Sequence, residues 1–354
     1  MNIYVICLLV ILIAAIFFTD QDPKTRKIYI IICTVMLGAV LLLRTPDVGS
    51  DIGRYRTHFV ETGHRSVEII LDKYNNVGYY LYNHYLYNLL AGDYQIFLII
   101  TGVICFAPVI FVISKYAAKP YYAFLTFFCM GFYAFQFTGL KQAIAMGILC
   151  FAFHFAMQSK LLPYIITIVV AAFFHLPSLI FAPVYLIVHF KFTKFHLPFY
   201  GLAFVVIWFF RDFIVVILSE GYDSSVETEG LTGVGGKVVF MALLIIMGLL
   251  FRKPSNKDVL YRTLLQFMCV ATAIQMLAIY GNVFERLADY YFFYITLFIP
   301  RIMEPKLEPN LKPFLKIDGT DRVIYMTFIT GIMILYYWAF GYNTPGLLPY
   351  YTWL

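Results

Sequence analysis

The chain has 354 residues, of which 62% are hydrophobic and 13% charged. Soluble domains carry about 45–50% apolar and about 25% charged residues; with a mean hydropathy of +0.80, a cytosolic enzyme, a nucleic-acid-binding module and a secreted disulfide scaffold are all excluded. The net charge of +6 comes from 26 basic and 20 acidic residues, and its distribution over the loops says more than its sum.

With the bilayer as solvent, only helices or a closed barrel satisfy every backbone group. The apolar runs are continuous rather than alternating, which predicts an all-α protein. Runs near 2–18, 28–43, 95–114, 120–138, 142–157, 161–175, 177–190, 197–211, 237–251, 263–280, 286–300 and 323–340 predict about 12 transmembrane helices in one polytopic domain over 1–354. Met1–Phe18 lacks a basic n-region and a small-x-small cleavage site, so it is read as a retained first span. Several runs fall short of the roughly 20 residues of a straight crossing, and His175-Leu176-Pro177 marks a candidate break. The six cysteines, Cys7, Cys33, Cys105, Cys129, Cys150 and Cys269, all lie in apolar runs and read as small core residues.

Residues 44–93 are expected to form an outer loop followed by an amphipathic or re-entrant element. Its stretch 66–93 is rich in Tyr and Asn, and Tyr79, Tyr82, Leu86 and Leu89 fit a helical stripe. Placing the N-terminus outside puts most basic residues inside, among them Lys24, Arg26, Lys27, Lys115, Lys119, Lys160, Lys194, Lys253, Lys306, Lys312 and Lys316. The minority left outside includes Arg44, Arg54, Arg56, Lys141, Lys237 and Arg286.

Four polar clusters at that outer rim need explaining, because charge at membrane depth is costly. Arg44, Asp47, Gly49, Asp51, Gly53, Arg54, Tyr55 and Arg56 follow the second run. Guanidinium forks there suit an anion, and the two glycines suit tight turns; a solvated loop with an arginine snorkelling from a helix end fits equally. Lys141-Gln142 sits between two apolar runs, where an interfacial anchor is the plain reading. His175 ends an apolar run and reads as a core histidine, a lone base or a phosphate donor. Glu285, Arg286 and Asp289 allow a local i, i+3 ion pair or an arginine facing the interior.

In their order along the chain these features resemble the EpsG family of exopolysaccharide polymerases, related in role to Wzy-type polymerases. The resemblance rests on an arginine closing the second span and on Gly49, Asp51 and Tyr55. Gly78, Tyr94-Gln95, the stretch Phe132, Tyr133, Gln142, Ala143 and Ala145, and Ala171, Phe174, His175 and Leu179 carry it onward. These motifs cover about residues 40–190; beyond them only Arg286 and Tyr290 match. One departure is Lys141, where the family usually has arginine.

The resemblance implies a GT-C-like, all-α membrane glycosyltransferase of the bacterial plasma membrane, with its active site on the outer face. It implies polymerisation of polyprenyl-pyrophosphate-linked oligosaccharide repeat units, with release of polyprenyl pyrophosphate. On that reading Arg44, Arg56, Lys141 and Arg286 hold pyrophosphate, and Asp51 and His175 are the catalytic base or acceptor. Tyr55, Gln142 and Tyr290 contact glycan, with exposed tyrosines such as Tyr55, Tyr79 and Tyr82 available to stack on sugars. No cofactor or metal is expected. The partners are the lipid-linked glycan, the bilayer, a chain-length regulator and a flippase, with no nucleic acid. A ligase to a fixed acceptor, or a flippase or transporter of the same glycans, would show the same outer-rim charges.

Overall fold

A computed structural model describes residues 2–18, 22–191, 196–219, 234–252, 254–304, 319–341 and 346–352. Lys194, Lys253, Lys306, Lys312 and Lys316, all counted inside, lie outside the described residues. The described residues are helical, and their sole β-type pairing is one isolated antiparallel bridge between Arg44 and Thr352. Two compact units emerge, Met1–Ala182 with Asp321–Leu354, and Pro183–Thr320.

The first unit holds α1 (Ile3–Phe17), α2 (Pro23–Leu42), α3 (Ile52–Gly63), α4 (Val67–Lys73), α5 (Val77–Leu89), α6 (Tyr94–Tyr116), α7 (Pro120–Cys129), α8 (Phe132–Thr138), α9 (Leu140–Met157) and α10 (Leu161–Phe174). The second holds α11 (Val184–His189), α12 (His196–Ser219), α13 (Val234–Phe251), α14 (Val259–Gln275), α15 (Asn282–Phe292) and α16 (Ile295–Met303). Helix α17 (Gly319–Tyr336) leads back into the first unit.

Among the described residues, α2, α6, α9 and the run Val259–Tyr280 are long and apolar enough to cross a membrane. Shorter apolar helices cover Ile3–Phe17, Leu161–Phe174, Leu176–His189, Gly235–Phe251 and Thr327–Ala339. The chain is therefore a helical membrane protein.

Three expectations are corrected. The run 120–138 is two helices, α7 and α8, because the chain turns at Gly131. The run 286–300 divides into α15 and α16 at Phe293-Tyr294. The cluster after Arg44 is not loop throughout: Ile52 opens α3, whose Ile52, Tyr55 and Phe59 are buried on one helical stripe. Phe59 packs its ring 4.5 Å from that of Phe97 in α6. Apolar spacing outweighs the glycine and charges there, and Gly53 lies inside the helix rather than in a turn.

The direction of the helices in the first unit follows from a few contacts. Arg26, near the start of α2, donates Nη2 to the Ala117 carbonyl at 2.8 Å, just past the end of α6. Lys115 and Tyr116 approach His154 near the end of α9 at 3.4 and 2.6 Å. At the opposite end, Gln95 at the start of α6 donates Nε2 to the Arg44 carbonyl, just past α2, at 2.9 Å. Hence α2 runs antiparallel to α6, and α6 parallel to α9. Arg44, Lys141 and the start of α6 share one end of the unit. Arg26, Lys115 and His154 share the other.

Candidate functional site

Arg44 is placed by its backbone. Besides Gln95 and the bridge to Thr352, the next residue, Thr45, donates its N–H to the Tyr351 carbonyl at 3.0 Å. Gly49 donates to the Gly346 carbonyl at 2.7 Å. Its φ of +133° needs glycine, and a Cβ would sit 2.3 Å from the Phe137 carbonyl oxygen. So the C-terminal residues and α8 clamp the loop that carries the arginine.

The Arg44 side chain is buried, with 1% of the residue exposed. Its guanidinium lies 4.7 Å over the Phe137 ring. Nε and Nη1 have no hydrogen-bond partner, and among the described residues no carboxylate lies within ion-pair distance. Burial lowers its pKa to about 10, and the nearby hydroxyls of Tyr94 and Tyr4 and the Cys105 thiol oppose the fall. It stays cationic at neutral pH. A buried cation without a counter-charge costs several kcal/mol, and such a site is complementary to an anion.

Beside it, α3, α4, α5, α6 and α9 share one apolar cluster that includes Tyr55, Tyr79, Tyr80, Tyr94 and Leu140. Lys141, at the start of α9, donates Nζ to the Tyr80 hydroxyl at 2.7 Å and lies 4.4 Å over the same ring. Tyr80 stacks on Tyr74 at 3.7 Å and meets the His58 ring edge-on at 5.5 Å. His58 Nδ1 is buried without a partner. Burial first, and then the Lys141 ammonium, depress the His58 pKa below the ordinary histidine value.

The other expected site residues of this unit divide by exposure. Asp51 pairs with Arg54 at 3.0 Å in a solvent-facing i, i+3 pair. Arg56 is exposed and Gln142 is buried. Tyr55 is 7% exposed, edge-on to the wholly buried Tyr79 at 5.9 Å. The exposure expected of Tyr55 and Tyr79 for stacking on sugars is therefore absent: both rings fill the core that holds α3 on α5. Tyr82 donates or accepts with Thr101 at 2.8 Å and is half-buried.

His175 caps α10, its N–H bonded to the Ala171 carbonyl at 2.9 Å. A 3₁₀ turn (Leu176–Phe181) follows, so the chain does break at His175-Leu176-Pro177. The Leu176 N–H donates to Asn76 Oδ1 at 3.0 Å, 100 positions away. Gly78 packs so closely that a Cβ would lie 2.3 Å from the Phe173 ring and 2.7 Å from its carbonyl. The Gly78 and Phe174-His175 motifs thus meet.

In the second unit, Lys237 donates Nζ to Glu285 at 2.8 Å and to Asp289 at 3.2 Å. Asp289 is therefore held from α13, beyond the local Arg286 pair considered from sequence. Arg286 is exposed. Tyr290 is 1% exposed, within the core of the second unit.

One residue and one contact escaped the sequence reading. His58 could have been found from the stripe Ile52, Tyr55, Phe59, which makes 52–63 a helix and puts His58 beside it. Gln95 carried the family resemblance, but its hold on Arg44 is a tertiary contact with no sequence signal.

A family model described as the EpsG family matches residues 27–352. No curated protein and no solved structure matches the chain.

Proposed function

Because this chain belongs to the EpsG family, which carries a polysaccharide-polymerase role, we propose that it joins polyprenyl-pyrophosphate-linked repeat units on the outer face of the bacterial plasma membrane. A hydroxyl of one lipid-linked unit attacks the anomeric carbon of the other. The new glycosidic C–O bond forms as the C–O bond to pyrophosphate breaks. Polyprenyl pyrophosphate departs with the electron pair, and the hydroxyl proton passes to a base.

The single observation behind this reading is Arg44, a buried guanidinium with two nitrogens lacking partners and no carboxylate. A departing pyrophosphate gains negative charge in the transition state, and a preorganised cation in a dry site stabilises that charge best. Phe137 covers one face of the guanidinium at 4.7 Å and leaves Nε and Nη1 for an anion. Lys141 and Arg56 add cations to the anion path from the same unit, and Arg286 is kept as the further pyrophosphate contact that the family resemblance implies.

Asp51 and His175 remain the candidate bases. Asp51 already faces solvent beside Arg54, where an acceptor hydroxyl has access. Gln142, Tyr55 and Tyr290 remain the proposed glycan contacts, with Tyr55 buried beside Tyr79 in the first unit and Tyr290 buried in the second. The wider expectations stand as part of it: twelve spans of GT-C-like architecture in one membrane domain over 1–354, metal-independent transfer, and a flippase and chain-length regulator as partners. What supports the outer face is that Arg44 and Lys141 share one end of the first unit, and the basic residues Arg26 and Lys115 the other.

The test is polymerisation of purified lipid-linked repeat units by the full-length protein in proteoliposomes. Ladders of polymer support the reading. Transfer of one unit to a fixed acceptor, or translocation without bond formation, would replace it with a ligase or a flippase.

A further inference from the structure

At the end of α2 opposite Arg44, a groove of about 620 Å³ runs between α2 and α6. Its lining includes Arg26, Lys27, Ile30, Ile31, Val35 and Ile110. One end is basic and the rest is aliphatic. Ile31 is 50% and Val35 65% exposed, so the apolar part faces outward from the unit.

Arg26 is fixed in place, since its guanidinium also reaches the Ala118 carbonyl at 3.4 Å. Among the described residues, neither Arg26 nor Lys27 has a carboxylate within ion-pair distance. The stretch from Lys27 to Val35 covers about 12 Å of helix, close to one leaflet of a hydrocarbon core about 30 Å thick. The charge distribution assigns this end to the cytoplasmic side.

We propose that the groove binds one anionic phospholipid of the inner leaflet. Its phosphate sits at Arg26 and Lys27, and one acyl chain follows Ile30, Ile31, Val35 and Ile110. Two cations without carboxylates favour a headgroup of net negative charge over a zwitterionic one. A polyprenyl phosphate shares this chemistry, but its chain outruns a groove one leaflet deep. The site is separate from the proposed reaction, since Arg26 and Arg44 lie about 27 Å apart along α2.

Native mass spectrometry of the full chain in detergent, with phosphatidylglycerol, phosphatidylcholine or polyprenyl phosphate added, tests this. The wild type should retain one phosphatidylglycerol in clear preference to phosphatidylcholine. Lys27→Gln should lower that retention about fivefold, the effect of about 1 kcal/mol per basic residue. Val35→Trp, which fills the apolar end, should lower it with the charge untouched. Both positions are exposed, so both variants should melt like the wild type. Equal retention of the two phospholipids, unchanged retention in both variants, or displacement by equimolar polyprenyl phosphate would overturn the proposal.

Discussion

The Arg44 guanidinium lies 4.7 Å over the Phe137 ring, with Nε and Nη1 unbonded. A charge held this way does little for the fold. An apolar side chain of similar shape removes the desolvation cost of an uncompensated buried charge, several kcal/mol. Arg44→Met should therefore melt at or above the wild-type temperature while losing polymer formation. A thermal-shift assay on the purified variant checks the first half. A large drop in melting temperature would make Arg44 structural.

Lys141 reaches Tyr80 through one hydrogen bond and one ring face. Tyr80→Phe keeps the ring and removes the acceptor, so it should cost about 0.5–1.5 kcal/mol. Lys141→Arg should retain polymerisation, because a guanidinium keeps the charge and adds a fork for two phosphate oxygens. Lys141→Met should lose it. Initial rates of polymer formation separate the three variants.

Asp51 and Arg54 form a solvent-facing pair, worth about 1 kcal/mol or less. Asp51→Ala should leave the melting temperature nearly unchanged. A collapse of turnover without a change in substrate binding would mark Asp51 as the base. Full turnover in this variant, with loss in His175→Ala, would transfer that role to His175.

His58 gives a pH signature. Its folded pKa lies below the unfolded value, first through burial and then through Lys141. Glu61 raises it and Arg54 lowers it further. In the window between the two pKa values the unfolded chain binds more protons, so this contribution to stability is complete above the unfolded value of about 6.5. It is lost as pH falls through the folded pKa. Thermal melts from pH 7.5 down to pH 5 should show a smaller fall for His58→Gln than for the wild type.

In the second unit, Lys237 pairs with both Glu285 and Asp289. Lys237→Met strands two partly buried carboxylates and should cost about 1–3 kcal/mol. Arg286→Met, at an exposed position, should cost far less. Chemical denaturation of the two variants compares the costs directly, and an activity loss in Arg286→Met alone would bear on its proposed anion contact.

Much of this architecture was legible in the chain because hydropathy marks helices that lipid must surround. The break at His175 and the placing of Arg44 and Lys141 at helix ends could be read from single runs. Helix α3 was missed because Gly53, Arg54 and Arg56 look like loop, although Ile52, Tyr55 and Phe59 already carried its stripe. The burial of Tyr55 and Tyr79 was missed because tyrosine suits the membrane interface and a helical core equally well. The return of residues 346–352 onto the Arg44 loop, and Asn76 capping the turn after His175, are pairings over large sequence separations. No local pattern encodes them.

The central claim is that Arg44 holds the departing pyrophosphate. Polymerisation of purified lipid-linked repeat units by Arg44→Met, confirmed to melt at or above the wild-type temperature, tests it most directly. The expected result is well-folded protein that makes no polymer. Polymer of wild-type length at a wild-type rate would contradict it.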